Sequence, residues 1–402
     1  MSKRRGDAQT VQQQQPLPFP GLPLLTPDEM SYLNLQPLRK RSKLVTDMQS
    51  AFQQSSEVPL RFRVLQSRLP KKLEILTRIG SSEKYDSWVR QALDLPLEKF
   101  TSPSRSIRCD VSSWLSGVKS KMDQSLHGQQ HAKTEILRSL CQWACSGGSS
   151  GIVLGLWGEA GIGKTRFGQT VLKEVVNRPF TSVPLGGLND PNYLLGHNFT
   201  YEGACCGAIA SALQKWKCMD GIFFFDELDK VGRSGKGDDV SNVLIHLTDP
   251  EMPFHDKFFS DVPLHLNRAF VVFSYNDPSS INPILLDRIH QIKFDTPTVE
   301  DKVCIARRHL LPRHLLSCSL EEVEMSDECI RHVIRAYTSE AGVRSLDRAL
   351  RTLVHTALLE KHTSGEVDSR SATTVVVDAP FVDRTLTLPS DRKSDPCAHM
   401  YN

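Results

Sequence analysis

The sequence predicts an α/β fold: a mainly parallel αβα sheet domain, followed by a small helical domain. Apolar runs without polar alternation recur along residues 152–275, and helical patterns separate them. Such runs are typical of strands that are buried on both faces, and strands that alternate with helices favour a parallel sheet. The first run also leads into a glycine-rich loop that opens a helix, which is the setting of the phosphate-binding motif.

The first predicted strand, at 152–157, is followed by GEAGIGKT, which matches the pattern G-x-x-x-x-G-K-T. Glycines allow the backbone to curl so that successive N–H groups point at phosphate oxygens, and the helix that follows adds its partial positive charge. We expect Lys164 to bind the β- and γ-phosphates and the Thr165 hydroxyl to hold Mg²⁺. The predicted loop comprises Gly158, Glu159, Ala160, Gly161, Ile162, Gly163, Lys164 and Thr165.

A later predicted strand, at 222–225, ends in two carboxylates within the sequence GIFFFDELDK. We expect Asp226 to bind Mg²⁺ directly or through water, and Glu227 to polarise the attacking water. A glutamate in this place favours hydrolysis of a nucleotide over phosphate transfer to a small acceptor.

The third predicted strand, at 269–275, is followed by Asn276. We expect this side chain to lie beside the γ-phosphate and orient water; the alternative is an asparagine that caps the turn with Asp277 and Pro278. Because ligands of such sheets bind at the carboxyl ends of the strands, Asn276 and Asp226 are expected to converge on the glycine-rich loop.

Beyond Asp295 the sequence predicts a small helical bundle. One helix begins at Ser326 and another lies further along, and both carry apolar residues at helical spacing. A short strand is predicted at 373–377. The apolar positions are Ile330, Val333, Ile334 and Tyr337 in the first helix, and Leu346, Leu350, Leu353, Val354 and Leu358 in the second.

Composition narrows the partners and the compartment. The 402 residues carry a formal net charge of +3, so no global basic field points to nucleic acid. No apolar run reaches the roughly 18 residues of a membrane span, and the N-terminus has no apolar core of a signal peptide. We therefore expect an intracellular, reducing compartment, cytoplasm or nucleus, with no membrane partner. The ten cysteines are expected to be free thiols.

Six further segments, in order and at similar spacing, resemble the ATPase part of the Lon-type ATP-dependent proteases, members of the AAA+ superfamily. The resemblance runs from about residue 59 to about residue 388. Its segments are ALDLPLEKF at 92–100, LHGQQHAK at 126–133, LGGLND at 185–190, LGHNFTYEGA at 195–204, LLDRIH at 285–290 and SEAGVRSLDR at 339–348.

The resemblance, together with composition, divides the chain into five parts. It implies a large AAA+ P-loop NTPase domain at 106–297 and a small helical lid domain at 298–388. An N-terminal helical segment is expected at 26–105. A Gln- and Pro-rich disordered tail is expected at 1–25, and a polar tail at 389–402.

The resemblance also implies roles that composition does not. Arg288 matches the arginine finger, which stabilises phosphate charge in the site of a neighbouring subunit, and Arg344 matches the second sensor. Tyr201 matches the aromatic residue of the pore loop that grips an unfolded polypeptide, whereas Glu202 stands where the family has an aliphatic residue. ATP, Mg²⁺ and a homo-oligomeric ring, hexameric in the family, are implied as well.

Three departures from the family bear on the expected function. Of the family's N-terminal substrate-binding domain, only the last helices are expected. The sequence has no G-P-S-A-G nucleophile segment, so we expect no peptidase activity of its own, and Glu159 and Ala160 replace two usual prolines. The expected activity is ATP-driven remodelling or unfolding of an unfolded or misfolded protein, with a possible peptidase in trans. The alternatives are a loader or motor that acts on nucleic acid, a regulatory subunit mixed into rings of a full-length relative, and a truncated gene product.

Overall fold

The computed structural model of the chain describes residues 88, 91–92, 94–101, 110–199, 201, 203–231, 237–260, 262–318, 322–338, 340–363 and 374–387. The chain divides into two units, Met1–Glu98 and Lys99–Asn402. The predicted tails, most of the N-terminal helical segment and Glu202 lie outside the described residues. In the first unit, the Leu95 N–H donates to the Ala92 carbonyl, and the second unit contains the predicted sheet.

The described strands of the second unit are β1 Ile152–Trp157, β2 Phe180–Pro184, β3 Ile222–Asp226, β4 Phe254–His255, β5 Pro263–Leu264, β6 Phe270–Tyr275, β7 His290–Lys293, β8 Glu322–Glu324 and β9 Thr374–Val376. The helices are α1 Val111–Ser125, α2 Gln130–Cys145, α3 Lys164–Arg166, α4 Lys173–Val176, α5 Asn192–Leu195, α6 Ala208–Trp216, α7 Gly237–Leu247, α8 Pro283–Asp287, α9 Val299–Ile305, α10 Leu311–Cys318, α11 Asp327–His332, α12 Arg344–Thr363 and α13 Ala379–Thr385.

Five strands form one parallel sheet in the order β2-β3-β6-β1-β7. The prediction of a parallel α/β sheet followed by a helical domain is therefore confirmed. Phe223, Phe224 and Phe225 of β3 are all fully buried, which explains why that strand shows no polar alternation. Phe225 stacks on Phe273 of β6 with ring centroids 5.3 Å apart.

The strand order brings the predicted polar residues to one edge of the sheet. β3, β6 and β1 are consecutive neighbours, and their carboxyl ends carry Asp226, Asn276 and the glycine-rich loop, respectively. In a parallel sheet these ends all lie on the same side. The three segments that were separate in the sequence are therefore adjacent in the fold.

The predicted helix after the loop is present, but it is not a continuous α-helix. α3 passes through a π-helical turn, Phe167–Leu172, before α4 begins. Gly168 lies in this turn, where a Cβ would collide with the Phe224 ring, so the missing side chain allows the turn to pack against the sheet. Phe167 meets Phe294 in an edge-to-face contact with centroids 5.8 Å apart.

The small domain has its own apolar core. The Ser326 hydroxyl caps α11 by accepting from the Cys329 N–H, as the sequence predicts for a helix start. The predicted strand near 373–377 is β9, and it pairs in parallel with β8, a strand that sequence patterns did not indicate. α12 contributes buried Leu346, Leu350, Leu353, Val354 and Ala357.

Among the described residues, no helix combines the length and the apolar character needed to cross a lipid bilayer.

Candidate functional site

A cleft of about 650 Å³ lies at the carboxyl edge of the sheet, within the size range of small-molecule sites. Its walls come from the glycine-rich loop, from the ends of β3 and β6, and from the small domain. The residues that line it are Ala160, Gly161, Gly163, Lys164, Thr165, Arg166, Gln169, Asp226, Glu227, Asp229, Lys230, Ser274, Tyr275, Asn276, Leu310, Arg313, Val343, Arg344 and Asp347.

The loop needs glycine at two positions for different reasons. Gly163, with φ 103°, precedes α3 in a left-handed conformation that side chains rarely adopt. Gly161 has φ 77°, and a Cβ there would come within 3.2 Å of the Arg344 Cβ. The Val343 N–H donates to the Gly161 carbonyl at 3.1 Å, so the small domain packs directly on the loop.

The Lys164 ammonium is held by three oxygen acceptors. Nζ donates to the carbonyls of Gly158 at 2.5 Å and Glu159 at 2.8 Å, and to the Asn276 Oδ1 at 2.8 Å. Burial lowers the pKa of Lys164 to about 8, while the negative charges of nearby carboxylates, Asp229 foremost, oppose that decrease. Lys164 therefore remains largely protonated near neutral pH, as phosphate binding requires.

Thr165 and Asp226 are brought together as predicted. The Thr165 hydroxyl donates to the Asp226 Oδ2 at 3.2 Å, and the Ser274 hydroxyl donates to the Asp226 Oδ1. A hydroxyl and one carboxylate, next to a phosphate-binding loop, are the hard oxygen donors with which proteins hold Mg²⁺. The oxygen donors that Thr165 and Asp226 present therefore fit this ion.

The Glu227 carboxylate faces a neighbour that the sequence did not indicate. Glu227 has φ 61°, which is uncommon for a residue with a side chain and is often found at functional sites. Its Oε1 lies 2.5 Å from the Lys230 Nζ, and a Cβ at Gly186 would collide with Oε2. Gly186 follows β2, so the Glu227 carboxylate lies beside the segment after β2, while the residue still lines the cleft.

Asn276 contacts Lys164 with its side chain instead of capping the following turn. That cap belongs to Asp277, whose Oδ1 accepts from the Ser279 N–H at 2.9 Å. The Asp229 Oδ2 accepts from the Asn276 N–H at 3.2 Å, which links the turn after β3 to the end of β6.

The small domain contributes charged side chains to the cleft next to the glycine-rich loop. Arg344, at the start of α12, lines the cleft as predicted, together with Arg313 and Asp347. Arg313 forms an ion pair with Asp347, and the His314 Nε2 lies 2.8 Å from the same carboxylate. Sequence reasoning missed Arg313, which no motif marks.

Asp229 and Lys230 were also missed, although both belong to the DELDK segment that drew attention to Asp226 and Glu227. The signal that could have found Asp229 is its position in the turn directly after β3, where its carboxylate can face the ends of neighbouring strands.

Arg288 does not line this cleft. Its guanidinium donates to the Ile245 carbonyl at 3.0 Å and pairs with Asp249 at 3.0 Å. The Glu251 N–H and the Arg288 guanidinium both lower the pKa of the Asp249 carboxyl. Arg288 is therefore separated from the loop of its own chain, and its side chain is one-third exposed.

Tyr201 is exposed over 68% of its surface and lies on a loop whose two ends are joined by a backbone hydrogen bond. The His197 N–H donates to the Cys205 carbonyl at 3.0 Å, and the buried Asp256 accepts from the Gly207 N–H at 2.8 Å. The tip that carries Tyr201 therefore projects from an anchored base, while its predicted neighbour Glu202 lies outside the described residues.

A second, smaller cavity of about 110 Å³ adjoins the loop. It lies between the turn after α1 and the small domain. The Gln129 side chain closes one side by exchanging two hydrogen bonds with the Asp295 backbone, at 2.6 and 2.8 Å. His127, Ile162, Gly163, Pro297 and His309 are among the lining residues.

Two parts of the chain match known protein families. Residues 154–296 match the family described as ATPase family associated with various cellular activities (AAA). Residues 316–369 match the Lon protease AAA+ ATPase lid domain.

Curated relatives carry related names. The chain is 34% identical over 247 residues to a Lon protease homolog of Acanthamoeba polyphaga mimivirus. The aligned region covers 60% of this chain and 24% of that protein. It is 33% identical over 259 residues to Lon protease 4 of Sorangium cellulosum, and the aligned region covers 63% of this chain and 32% of that protein. It is 31% identical over 342 residues to a Lon protease of Chloroflexus aurantiacus, and the aligned region covers 81% of this chain and 40% of that protein. The matches thus span less than half the length of each relative.

Proposed function

Because the chain contains a Lon-type AAA+ ATPase module, we propose that it hydrolyses ATP in a ring of its own copies and thereby remodels or unfolds protein partners. The single observation that supports the ATPase part best is the convergence of Lys164, Thr165, Asp226 and Asn276 on one cleft. These groups supply the cation, the metal-binding oxygens and the polar amide that a nucleotide's phosphates require.

The nucleotide would bind with its phosphates on the glycine-rich loop and its base in the cavity between Gln129 and the small domain. Lys164 would transfer its hydrogen bonds from the Gly158 and Glu159 carbonyls to phosphate oxygens. Mg²⁺, held by Thr165 and Asp226, would neutralise charge on the β- and γ-phosphates.

Glu227 would activate the attacking water once its carboxylate turns from Lys230 toward the γ-phosphate. A carboxylate that accepts the water proton must lie within hydrogen-bonding reach of that water. Glu227 pairs with Lys230 at 2.5 Å, and since both side chains are half-exposed, the carboxylate would exchange this weak partner for the water.

The ring is supported by the location of Arg288. Its guanidinium lies outside the cleft of its own chain and is bound by Asp249 at the protein surface. An arginine in that place would serve as the finger for a nucleotide bound by the neighbouring copy, where it stabilises the charge of the transferred phosphate. The hexameric state follows from the resemblance to the family.

The protein-remodelling role is supported by Tyr201. Its ring is exposed on a projecting loop, and an aromatic ring gives a large contact area at little conformational cost. A ring of such loops would grip an extended polypeptide. We do not include peptide-bond cleavage in the proposed activity of this chain, since the sequence carries no G-P-S-A-G segment; a peptidase in trans would act downstream.

Two measurements test the proposal. The first is phosphate release from ATP with and without casein, and the second is the unfolding of a tagged fluorescent reporter. We expect ATP hydrolysis that casein stimulates, reporter unfolding, and intact casein on a gel. Stimulation by single- or double-stranded DNA in place of casein would favour a nucleic-acid motor instead. Glu227→Gln, which should keep ATP bound, then provides a trap whose captured proteins mass spectrometry can identify.

A further inference from the structure

Asp229 is placed at the cleft in an unusual way. It lies in the tight turn Leu228–Lys230 directly after β3. Its Oδ2 accepts the backbone N–H groups of Asn276 at 3.2 Å and Asp277 at 3.4 Å. Its Oδ1 is buried and has no hydrogen-bond partner within the described part of the chain.

The backbone at Asn276 depends on this carboxylate. The ladder between β1 and β6 ends at the pair Trp157 and Tyr275, so Asn276 is the first residue beyond the paired strand. A backbone N–H that leaves a sheet needs another acceptor, and Asp229 supplies it. The Asn276 side chain is held separately, by the Lys164 ammonium.

Asn276 is therefore fixed at two points, its backbone by Asp229 and its amide oxygen by Lys164. Asp229 follows β3 and Lys164 follows β1 through the glycine-rich loop, and these two strands lie on either side of β6. Removal of the Asp229 contact would leave the side chain attached but release the backbone that carries it.

We infer that Asp229 is a positioning residue that fixes Asn276 and thereby sets the preference of the site for a nucleoside triphosphate over a diphosphate. The inference rests on the proposed function, in which Asn276 lies beside the γ-phosphate. A displaced Asn276 loses its contact with the γ-phosphate of ATP, whereas ADP has no group at that place. A merely structural role would instead weaken the binding of both nucleotides equally.

The test compares ATP and ADP affinities in the Glu227→Gln background, where ATP is not turned over, with labelled nucleotides and Mg²⁺. Asp229→Ala and Asp229→Asn both remove the negative charge beside Lys164, so the two variants are compared with each other. The affinity for ATP should be about tenfold lower in Asp229→Ala than in Asp229→Asn, the scale of a lost hydrogen bond, and the affinity for ADP should differ between them by less than about twofold. The reason is that Asp229→Asn keeps an oxygen that can accept the Asn276 N–H.

Asp383→Ala is the matched control. Asp383 also accepts two hydrogen bonds, from His332 and Tyr337, but it does not line the cleft, so both affinities should stay unchanged. If Asp229→Ala does not fold, Asp229→Ser takes its place as a polar variant. Its side chain is shorter than that of aspartate, so it should also lose the hydrogen bond with the Asn276 N–H. Amide hydrogen exchange at Asn276 and Asp277 should accelerate in either variant.

Equal losses of ATP and ADP affinity in Asp229→Ala relative to Asp229→Asn, or no difference between the two variants, would overturn the inference alone. A Glu227→Gln protein that binds neither nucleotide would overturn the proposed function and this inference with it.

Discussion

The Lys164 ammonium donates a 2.8 Å hydrogen bond to the Asn276 amide oxygen. These residues are 112 positions apart in the sequence, yet they follow adjacent strands, β1 and β6, of the parallel sheet. The bond joins the phosphate-binding loop to the predicted water-orienting residue. A shift of either strand end therefore changes both the cation and the amide that a γ-phosphate would meet.

Substitutions of Lys164 and Glu227 should affect different steps, nucleotide binding and ATP hydrolysis, respectively. Lys164→Ala removes the charge-assisted contacts to phosphate and should weaken nucleotide binding by about 2 kcal/mol or more. Glu227→Gln should retain binding and lose turnover by at least about a hundredfold, because only proton acceptance from water is removed. A nucleotide titration and a steady-state ATPase assay distinguish the two. Normal turnover in Glu227→Gln would contradict the assigned mechanism.

Arg288 should act across a subunit interface. Arg288→Ala should bind ATP normally and hydrolyse it at least about a hundredfold more slowly, since a finger supplied in trans is worth about 10³ or more in rate. Mixing this variant with Lys164→Ala should restore part of the activity, because each copy supplies what its neighbour lacks. Asp249→Ala, which removes the ion-pair partner of Arg288 and keeps the guanidinium, is the control and should retain turnover. Full activity of a protein that light scattering shows to be monomeric with ATP would contradict the ring.

Tyr201 should be needed for unfolding but not for hydrolysis. Tyr201→Ala removes the exposed ring and should abolish unfolding of a tagged reporter while basal ATPase stays within about twofold. Tyr193→Ala, at another half-exposed tyrosine, is the matched control and should leave unfolding intact. Reporter unfolding by Tyr201→Ala at the normal rate would exclude the gripping role.

Glu202 should influence which segments are accepted. A glutamate beside Tyr201 in every copy would bring a ring of negative charge into the channel, so acidic tags should be disfavoured, and less so at high salt. Glu202→Ile should increase unfolding of a reporter with an acidic tag. A tag preference that is the same in both proteins, at low and at high salt, would argue against a charged channel.

Asp220 should stabilise the large domain through a buried ion pair. Its carboxylate is fully buried, pairs with Arg178 at 3.1 Å and accepts the Thr101 N–H at 2.9 Å. Asp220→Ala leaves the buried guanidinium unpaired and should lower the free energy of unfolding by about 3–5 kcal/mol. The Thr101 hydroxyl also donates to the Asp220 Oδ1 at 3.0 Å, and Thr101→Val, which removes this bond and keeps the N–H bond, should cost about 1 kcal/mol. Chemical denaturation measures both, and equal losses would contradict the dominance of the ion pair.

Asp256 should make stability depend on pH. Burial raises the pKa of this carboxyl from 3.8 to about 6, so the folded chain binds more protons than the unfolded chain between these values. The free energy of unfolding should therefore increase as pH falls from about 7 to 4, by up to about 3 kcal/mol from this group. Asp256→Asn removes that contribution. Identical pH slopes for both proteins in denaturation experiments would contradict the raised pKa.

The sequence alone determined the class of fold and the location of the site along the chain. The strands near 152–157, 222–225 and 269–275 were predictable because burial on both faces leaves an unbroken apolar pattern. The glycines of the loop were predictable because their backbone conformation excludes other residues. Such features depend on local chemistry, so they are visible without any long-range contact.

Only the tertiary structure decided how the side chains meet. That Asp229 holds the Asn276 backbone and that Arg313 reaches the cleft from the small domain depends on strand order and on how the small domain packs against the loop. β8 escaped prediction because three residues of an edge pair carry too short a pattern, and it forms only through its pairing with β9. These arrangements arise from contacts between residues far apart in the chain, where the energy of packing and pairing outweighs local preference.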